Sequence, residues 1–183
     1  FSQDVRFKND EGKDFPGWEE KVLGEVIDKH SSSLSAGSIK ENLGKYKVYG
    51  ASGELKSVDF FLESEPYISI VKDGAGVGRL LMCEATTSVL GTLDVLKPKV
   101  GDSLSFLYFL LSRINFNTYV TGSTIPHIYF NHYKKEKVLL PSLVEQNKIS
   151  DFLSSLDNLI DSKLNQVSLA EEWKKGLMQG LFV

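Results

Sequence analysis

The chain has 183 residues, 42% of them hydrophobic and 25% charged; this is the balance of a domain with a sizeable core and excludes a disordered tail. Its formal net charge of −3 excludes a protein that grips nucleic acid by overall charge alone, so a polyanion would have to meet a local basic patch. The single cysteine, Cys83, cannot form an intrachain disulfide, and no apolar run approaches the length needed to span a bilayer. A buried free thiol, a reducing cytoplasmic setting and no membrane partner are therefore expected.

Residues 1–14 are polar, with a turn signal at Asn9-Asp-Glu-Gly12, and read as an arm or linker. Residues 15–140 read as the packed domain. Phe15-Pro-Gly-Trp18 opens it, and the stretch to Ile27 suits one helical turn or a short strand. The serine- and glycine-rich segment from His30 to Gly44 reads as a loop, long enough to suggest a role beyond connection. Short strand candidates come next at Tyr46-Lys-Val-Tyr49, Pro66 to Val71, Leu80 to Cys83, Ser88 to Leu90 and Thr92 to Leu96. Gly101-Asp-Ser103 looks like a helix start, with Ser103 or Asp102 as its cap. Leu104 to Ile114 is apolar nearly all round and reads as a buried helix, and Glu136 to Leu140 as a last strand. The order of elements predicts an α+β fold: a small mixed β-sheet domain with a buried helix, followed by a long C-terminal helix.

That helix, within residues 141–183, is the strongest periodic signal. Ile149, Leu153, Leu156, Ile160, Val167, Ala170, Leu177 and Leu181 recur at alternating steps of three and four, with Lys163 and Lys174 in the two remaining places. Phe152, Leu159 and Trp173 widen the apolar face. A rod of this length with so wide a face is expected to project and pair with another helix, as a coiled-coil-like spacer; the alternative is a terminal helix lying on its own domain.

The glycine-rich Asp73-Gly-Ala-Gly-Val-Gly-Arg79 invites a nucleotide-binding reading. The next residues, from Leu80 to Cys83, suit a strand and not a helix. Without a helix N-terminus a pyrophosphate has no set of free amides, so a β-hairpin is preferred. His30 and His132 lie in polar surroundings with nothing nearby to complete a metal set. Ser123, Thr124 and His127 on Thr121-Gly-Ser-Thr-Ile-Pro-His127 lack an acid and an oxyanion hole, so a rigid turn is preferred to a catalytic site. No carboxylate set for metal-dependent cleavage and no methyltransferase motif is found, so catalytic residues and metal ligands are expected to be none. What remains are loops whose residues suit phosphates and base edges: Lys45, Lys47, Tyr49 and Ser52 around the Gly50–Gly53 turn, Lys72 and Arg79 flanking the glycine hairpin, and Ser123, Thr124 and His127.

Taken in order, Tyr46-Lys-Val-Tyr-Gly-Ala-Ser-Gly53, Lys72-Asp-Gly-Ala-Gly-Val-Gly78, Thr121 to His127, Pro141-Ser-Leu-Val-Glu-Gln-Asn-Lys-Ile149, Leu156-Asp-Asn-Leu-Ile160 and Lys174-Lys-Gly-Leu-Met-Gln-Gly-Leu-Phe182 resemble one target-recognition half of the specificity subunit of type I restriction–modification enzymes. The resemblance covers nearly the whole chain. In that family an ending like Gly180-Leu-Phe182 commonly runs into a beginning like Phe1 to Phe7, so the chain resembles a single repeat, either excised or a natural half-subunit. The resemblance implies a domain that reads half of a split site in double-stranded DNA. It further implies a helix that packs antiparallel against a second recognition half or a second copy, through the stripe from Ile149 to Leu181. Methyltransferase subunits would dock on the helices, and a nuclease–translocase subunit would cleave. S-adenosylmethionine, ATP and magnesium would then belong to those partner subunits, with no cofactor on this chain. Three rivals remain: a recognition domain cut from a fused methyltransferase–nuclease, a nucleotide-dependent enzyme using the glycine loop, and a helix-mediated assembly protein without DNA reading.

Overall fold

Tyr67 to Val71 is the strand around which the chain packs, because every one of its residues is buried. Alternation along a strand sends Ile68 and Ile70 to one face and Tyr67, Ser69 and Val71 to the other, so this strand must be covered on both sides. The computed structural model, which describes residues 6–99 and 101–182, provides both covers. The opening residues Phe1 to Val5 of the family-like beginning, and Val100 and Val183, lie outside the described residues.

The strands in chain order are β1 (Glu19–Val22), β2 (Ile27–Ser31), β3 (Tyr46–Gly50), β4 (Gly53–Val58), β5 (Tyr67–Val71), β6 (Leu80–Cys83), β7 (Ser88–Val89), β8 (Leu93–Pro98) and β9 (Lys137–Leu140). The helices are α1 (Leu23–Val26), α2 (Leu104–Ser112), α3 (Phe130–Tyr133) and α4 (Leu143–Leu181), with a 3₁₀ turn at Phe116–Tyr119. A central antiparallel sheet runs in the order β2-β8-β5-β6. Against one face lies α2, whose Phe106, Leu107, Leu110 and Leu111 join Ile68, Ile70 and Leu96 in the larger core. Ser103 caps α2 by accepting from the Phe106 N–H. Against the other face lies a sheet in the order β4-β3-β7, and Tyr67, Val71, Cys83, Leu93 and Val95 pack there with Val89. Cys83 is a buried free thiol, and burial pushes its pKa up. The architecture is α+β, as the order of elements predicts.

One region resolves differently from its sequence reading. The stretch after Trp18 is strand, helical turn and strand in succession, not one or the other. The loop between β2 and β3 is anchored by Ile39, 1% exposed against Val48 and Val58, while the Lys56 ammonium donates to the carbonyls of Ile39 and Lys40.

The β1–β9 ribbon positions the long helix. Its antiparallel register sets Glu19 opposite Leu140, which brings Trp18 beside the turn at Pro141 where α4 begins. From there α4 runs for 39 residues, roughly 58 Å at about 1.5 Å per residue. Ile149 is buried and Leu153 partly so against the larger core, but beyond them the helix leaves the domain. Leu156, Ile160, Val167, Leu177 and Leu181 are all exposed, Leu181 to 74%. The reading of a terminal helix lying on its own domain is therefore excluded; the rod projects.

Candidate nucleic-acid interface

Three loops distant in sequence are joined at one edge of the domain. The first is the Gly50–Gly53 turn between β3 and β4, where Ser52 is exposed. The second is the hairpin loop from Lys72 to Arg79, closing antiparallel β5 and β6 as the Asp-Gly signal predicts. Three of its glycines hold φ near +84°, and at Gly78 an added Cβ would also meet the Phe116 Cβ at 2.7 Å, so no side chain fits there. The third is the Thr121–His127 turn, closed by reciprocal 2.8 Å hydrogen bonds between the backbones of Thr121 and His127.

The joints are specific. Arg79 Nη1 donates to the carbonyl of Ala51 at 2.8 Å, fastening the hairpin loop to the first turn. The Gly74 N–H donates to the Pro126 carbonyl at 2.9 Å, the Ile128 N–H donates to the Lys72 carbonyl at 3.0 Å, and His127 Nδ1 pairs with Asp73 Oδ1. The structure thus brings Ser52, Lys72, Arg79, Ser123, Thr124 and His127 to one edge. Tyr49 leads into the first turn, but its ring is half-buried in the core shared with Cys83, and burial raises its phenol pKa. Lys45 and Lys47 lie back along β3. Lys45 is exposed, with its ammonium 5.0 Å from the Tyr46 ring centre. Lys47 is held at 3.2 Å by Glu84 and at 3.7 Å by Glu54, and the hydrogen bond to Glu84 raises its pKa.

The cations of this edge are not simply free. The Lys72 ammonium donates to Asp94 at 2.9 Å and is largely covered, so its local chemistry is that of an internal ion pair. Lys29 approaches the same carboxylate at 3.3 Å, and the Ser31 hydroxyl donates to it at 2.6 Å. Two ammonium groups on one buried carboxylate leave local positive charge in a chain that is negative overall. Beside them a shallow cleft of about 280 Å³ is lined by Lys29, Lys72, His127, Tyr129 and Asn131 among others.

Sequence reasoning missed Lys29, Ile125, Tyr129 and Asn131. Ile125 stands 67% exposed at the tip of the third loop and Tyr129 is 51% exposed beside the His127 ring, a 4.0 Å ring-centre contact. An apolar side chain offered to solvent on a polar loop is a cue available in Ser-Thr-Ile-Pro. Lys29 has no such cue, because its partner lies on another strand. A second acidic anchor, Glu63, accepts from His30 Nε2 at 2.6 Å and pairs with Lys97 at 2.8 Å. Burial works to raise the Glu63 pKa, but the hydrogen bonds from Lys97 and His30 outweigh it and hold the carboxyl below its usual range.

Among the described residues no group of three or more His, Cys, Asp or Glu side chains is placed to hold a metal ion, and no helix is long and apolar enough to cross a membrane. What the edge offers is a polar, locally basic, loop-built surface on a rigid sheet.

Comparison with known proteins points the same way. The family model described as the type I restriction modification DNA specificity domain matches residues 16–169. The type I restriction enzyme MjaVIII specificity subunit of Methanocaldococcus jannaschii is 28% identical over 196 residues, spanning 100% of this chain and 46% of its own length. The putative MjaX specificity subunit of the same organism is 24% identical over 211 residues, spanning 100% of this chain and 49% of its own length. The chain therefore spans about half the length of these curated relatives. Among solved structures, the S subunit of a type I restriction–modification system from M. genitalium superposes with a TM-score of 0.70 at 18% identity, over 92% of this chain and 45% of that one. The HsdS subunit from Thermoanaerobacter tengcongensis gives 0.55 at 18% identity, over 80% of this chain and 39% of that one. At such identities the likeness is one of fold, and it includes the mixed domain and the long helix.

Proposed function

The chain belongs to the type I restriction modification DNA specificity family, and on that premise we propose that its globular part reads one half of a split site in double-stranded DNA while α4 serves as the spacer. The observation that carries the reading is the joining of the Gly50–Gly53, Lys72–Arg79 and Thr121–His127 loops into one edge, with Arg79, Ser123, Thr124 and Ile125 outermost. Hydroxyls and the Arg79 guanidinium suit phosphates and base edges, and an exposed Ile125 suits a thymine methyl group. Lys45, Ser52 and His127 extend the same surface; Lys47 flanks it along β3 in its pairs with Glu84 and Glu54, and Tyr49 and Lys72 support it from within. This chain's own part is recognition without catalysis. Methyltransferase and nuclease–translocase subunits would supply the chemistry and bind S-adenosylmethionine, ATP and magnesium.

The apolar face of α4 supports the pairing and docking roles. Its exposed residues include Leu159, Leu164, Trp173 and Met178 beside the main stripe, which is wider than the seam of a two-stranded coiled coil. A second recognition helix would cover the stripe, and methyltransferase helices would cover its flanks.

The test is direct binding to a DNA duplex carrying the cognate half-site, for the assembled complex, as a function of salt. Arg79→Ala is expected to weaken binding and to reduce the slope of log K against log salt by about one, as loss of one phosphate contact does. An unchanged affinity and slope would remove Arg79 from the interface and leave it as a loop fastener on Ala51. Lys72→Ala is the contrasting variant: with Asp94 left short of a partner it should lower stability more than it alters the salt slope.

A further inference from the structure

The first turn of α4 carries two buried polar side chains that serve neither the DNA edge nor the apolar stripe. Glu145 is 0% exposed. Arg6 donates to its two oxygens, through Nε at 3.1 Å and Nη2 at 2.8 Å, and Trp18 Nε1 donates at 3.1 Å. Arg6 Nη2 also donates to the Pro16 carbonyl at 2.7 Å. The next residue, Gln146, is 1% exposed: its Oε1 accepts from the Ser103 N–H at 2.8 Å, and its Nε2 donates to Asp102 at 2.8 Å and to the Pro141 carbonyl at 3.1 Å. One helical turn is thereby tied to the arm, to the residues that lead into β1, to the N-terminus of α2 and to its own preceding turn.

A buried, paired carboxylate contributes little net stability compared with an apolar replacement, but it demands one geometry. That geometry matters for a lever. A rod of roughly 58 Å that swings by about 10° moves its tip by about 10 Å, or some three base pairs of B-DNA. The other ties of α4 to the domain are the packing of Ile149 and Leu153, the Phe152 ring on Phe7 and the exposed Lys148–Asp10 pair, and apolar and surface contacts fix a direction less sharply than buried, directed hydrogen bonds do. We infer that Glu145 and Gln146, with Arg6 and Trp18, form an angular lock that fixes the direction of α4 and so the tolerated spacing between half-sites. They are positioning residues for DNA recognition. The inference rests on the reading of α4 as a spacer.

The lock is tested apart from DNA. Spin labels at S64C on the domain and S168C on the rod report the rod's angular spread as a distance distribution, with Cys83 shielded at 0% exposure. The unaltered lock should give one narrow distribution, and Arg6→Ala and Glu145→Gln should each broaden it about twofold. The melting curve of the globular part shows whether either variant has simply unfolded; Trp18→Phe, which removes only the indole N–H from Glu145, is the milder substitute. Distributions as narrow in folded variants as in the parent would overturn the lock. In the assembled methyltransferase complex, the parent should reject sites whose spacing is altered by one base pair by about tenfold or more, and Glu145→Gln by only about threefold. Equal rejection would also overturn it. A parent that methylates no split motif would sink the functional reading instead, while the label distances would still judge the lock.

Discussion

Tyr133 shows how much a single buried atom can matter in this core. The side chain is 1% exposed and its ring packs edge-on against Phe116 and Phe130, with ring centres 5.3 and 5.2 Å apart. Among the described residues its buried hydroxyl has no hydrogen-bond partner, and burial raises the phenol pKa, so the group is a neutral O–H. Burying a hydroxyl in that state costs about 1–3 kcal/mol, and the ring accounts for the packing. Tyr133→Phe is therefore expected to stabilise the fold by about 1 kcal/mol, seen as a higher urea midpoint at unchanged slope. A lower midpoint would mean that the hydroxyl is satisfied in solution. The same accounting explains why Tyr67 is a poor target: its hydroxyl is 3.0 Å from Thr87 Oγ1, so the corresponding change would remove a buried hydrogen bond, although Thr87 would keep the one it donates to the Glu84 carbonyl.

At the scale of elements, legibility followed the range of the interaction. α4 was legible because one helix carries its whole signal: the three-and-four spacing needs no partner to be seen. α2 and the β5–β6 hairpin were legible for the same reason, through Ser103 as cap and Asp73-Gly74 as turn. The β1–β9 ribbon was not, since Glu19 and Leu140 announce nothing about each other locally. Nor was the plug at Ile39, an apolar residue among serines whose partners Val48 and Val58 lie on later strands. The candidate edge was legible as loops and not as side chains. Lys72 reads in the sequence as a free charge next to a glycine loop, and Asp94 takes that charge up across the sheet. The stripe of α4 has its own consequence. Leu156 and Ile160 are exposed at 39% and 55%, and neither belongs to the buried core, so aspartate at both positions removes little packing within the domain. The double substitution is expected to leave the domain's melting temperature within a few degrees. It should abolish pairing or methyltransferase docking, since burying two carboxylates opposite an apolar helix costs several kcal/mol. Sedimentation and co-purification measure this. An assembly that survives both changes would mean that the partner helix covers a different face.

For the molecule as a whole, the length of free rod becomes a statement about DNA. The part of α4 from Leu156 to Leu181 spans roughly 40 Å at about 1.5 Å per residue, close to the 34–36 Å of one B-DNA turn. Two such rods paired antiparallel along that stretch would hold their recognition domains about one turn apart, facing the same side of the duplex. One chain alone carries a net charge of −3 and only a small basic edge, so specific occupancy should depend on both halves being tethered, which raises the effective concentration of the second. Co-expression with a type I methyltransferase subunit, followed by mapping of methylated bases, tests this at the right scale. The expected motif is split, with half-site centres about ten base pairs apart. A palindromic split motif would mean that two copies of this chain pair through α4, and an asymmetric one that another recognition half completes the subunit. A continuous motif would contradict the spacer reading of α4 while leaving the loop edge as a DNA reader. Absence of any motif, together with no binding to duplex at low salt, would leave α4 as the working part and make the chain an assembly protein.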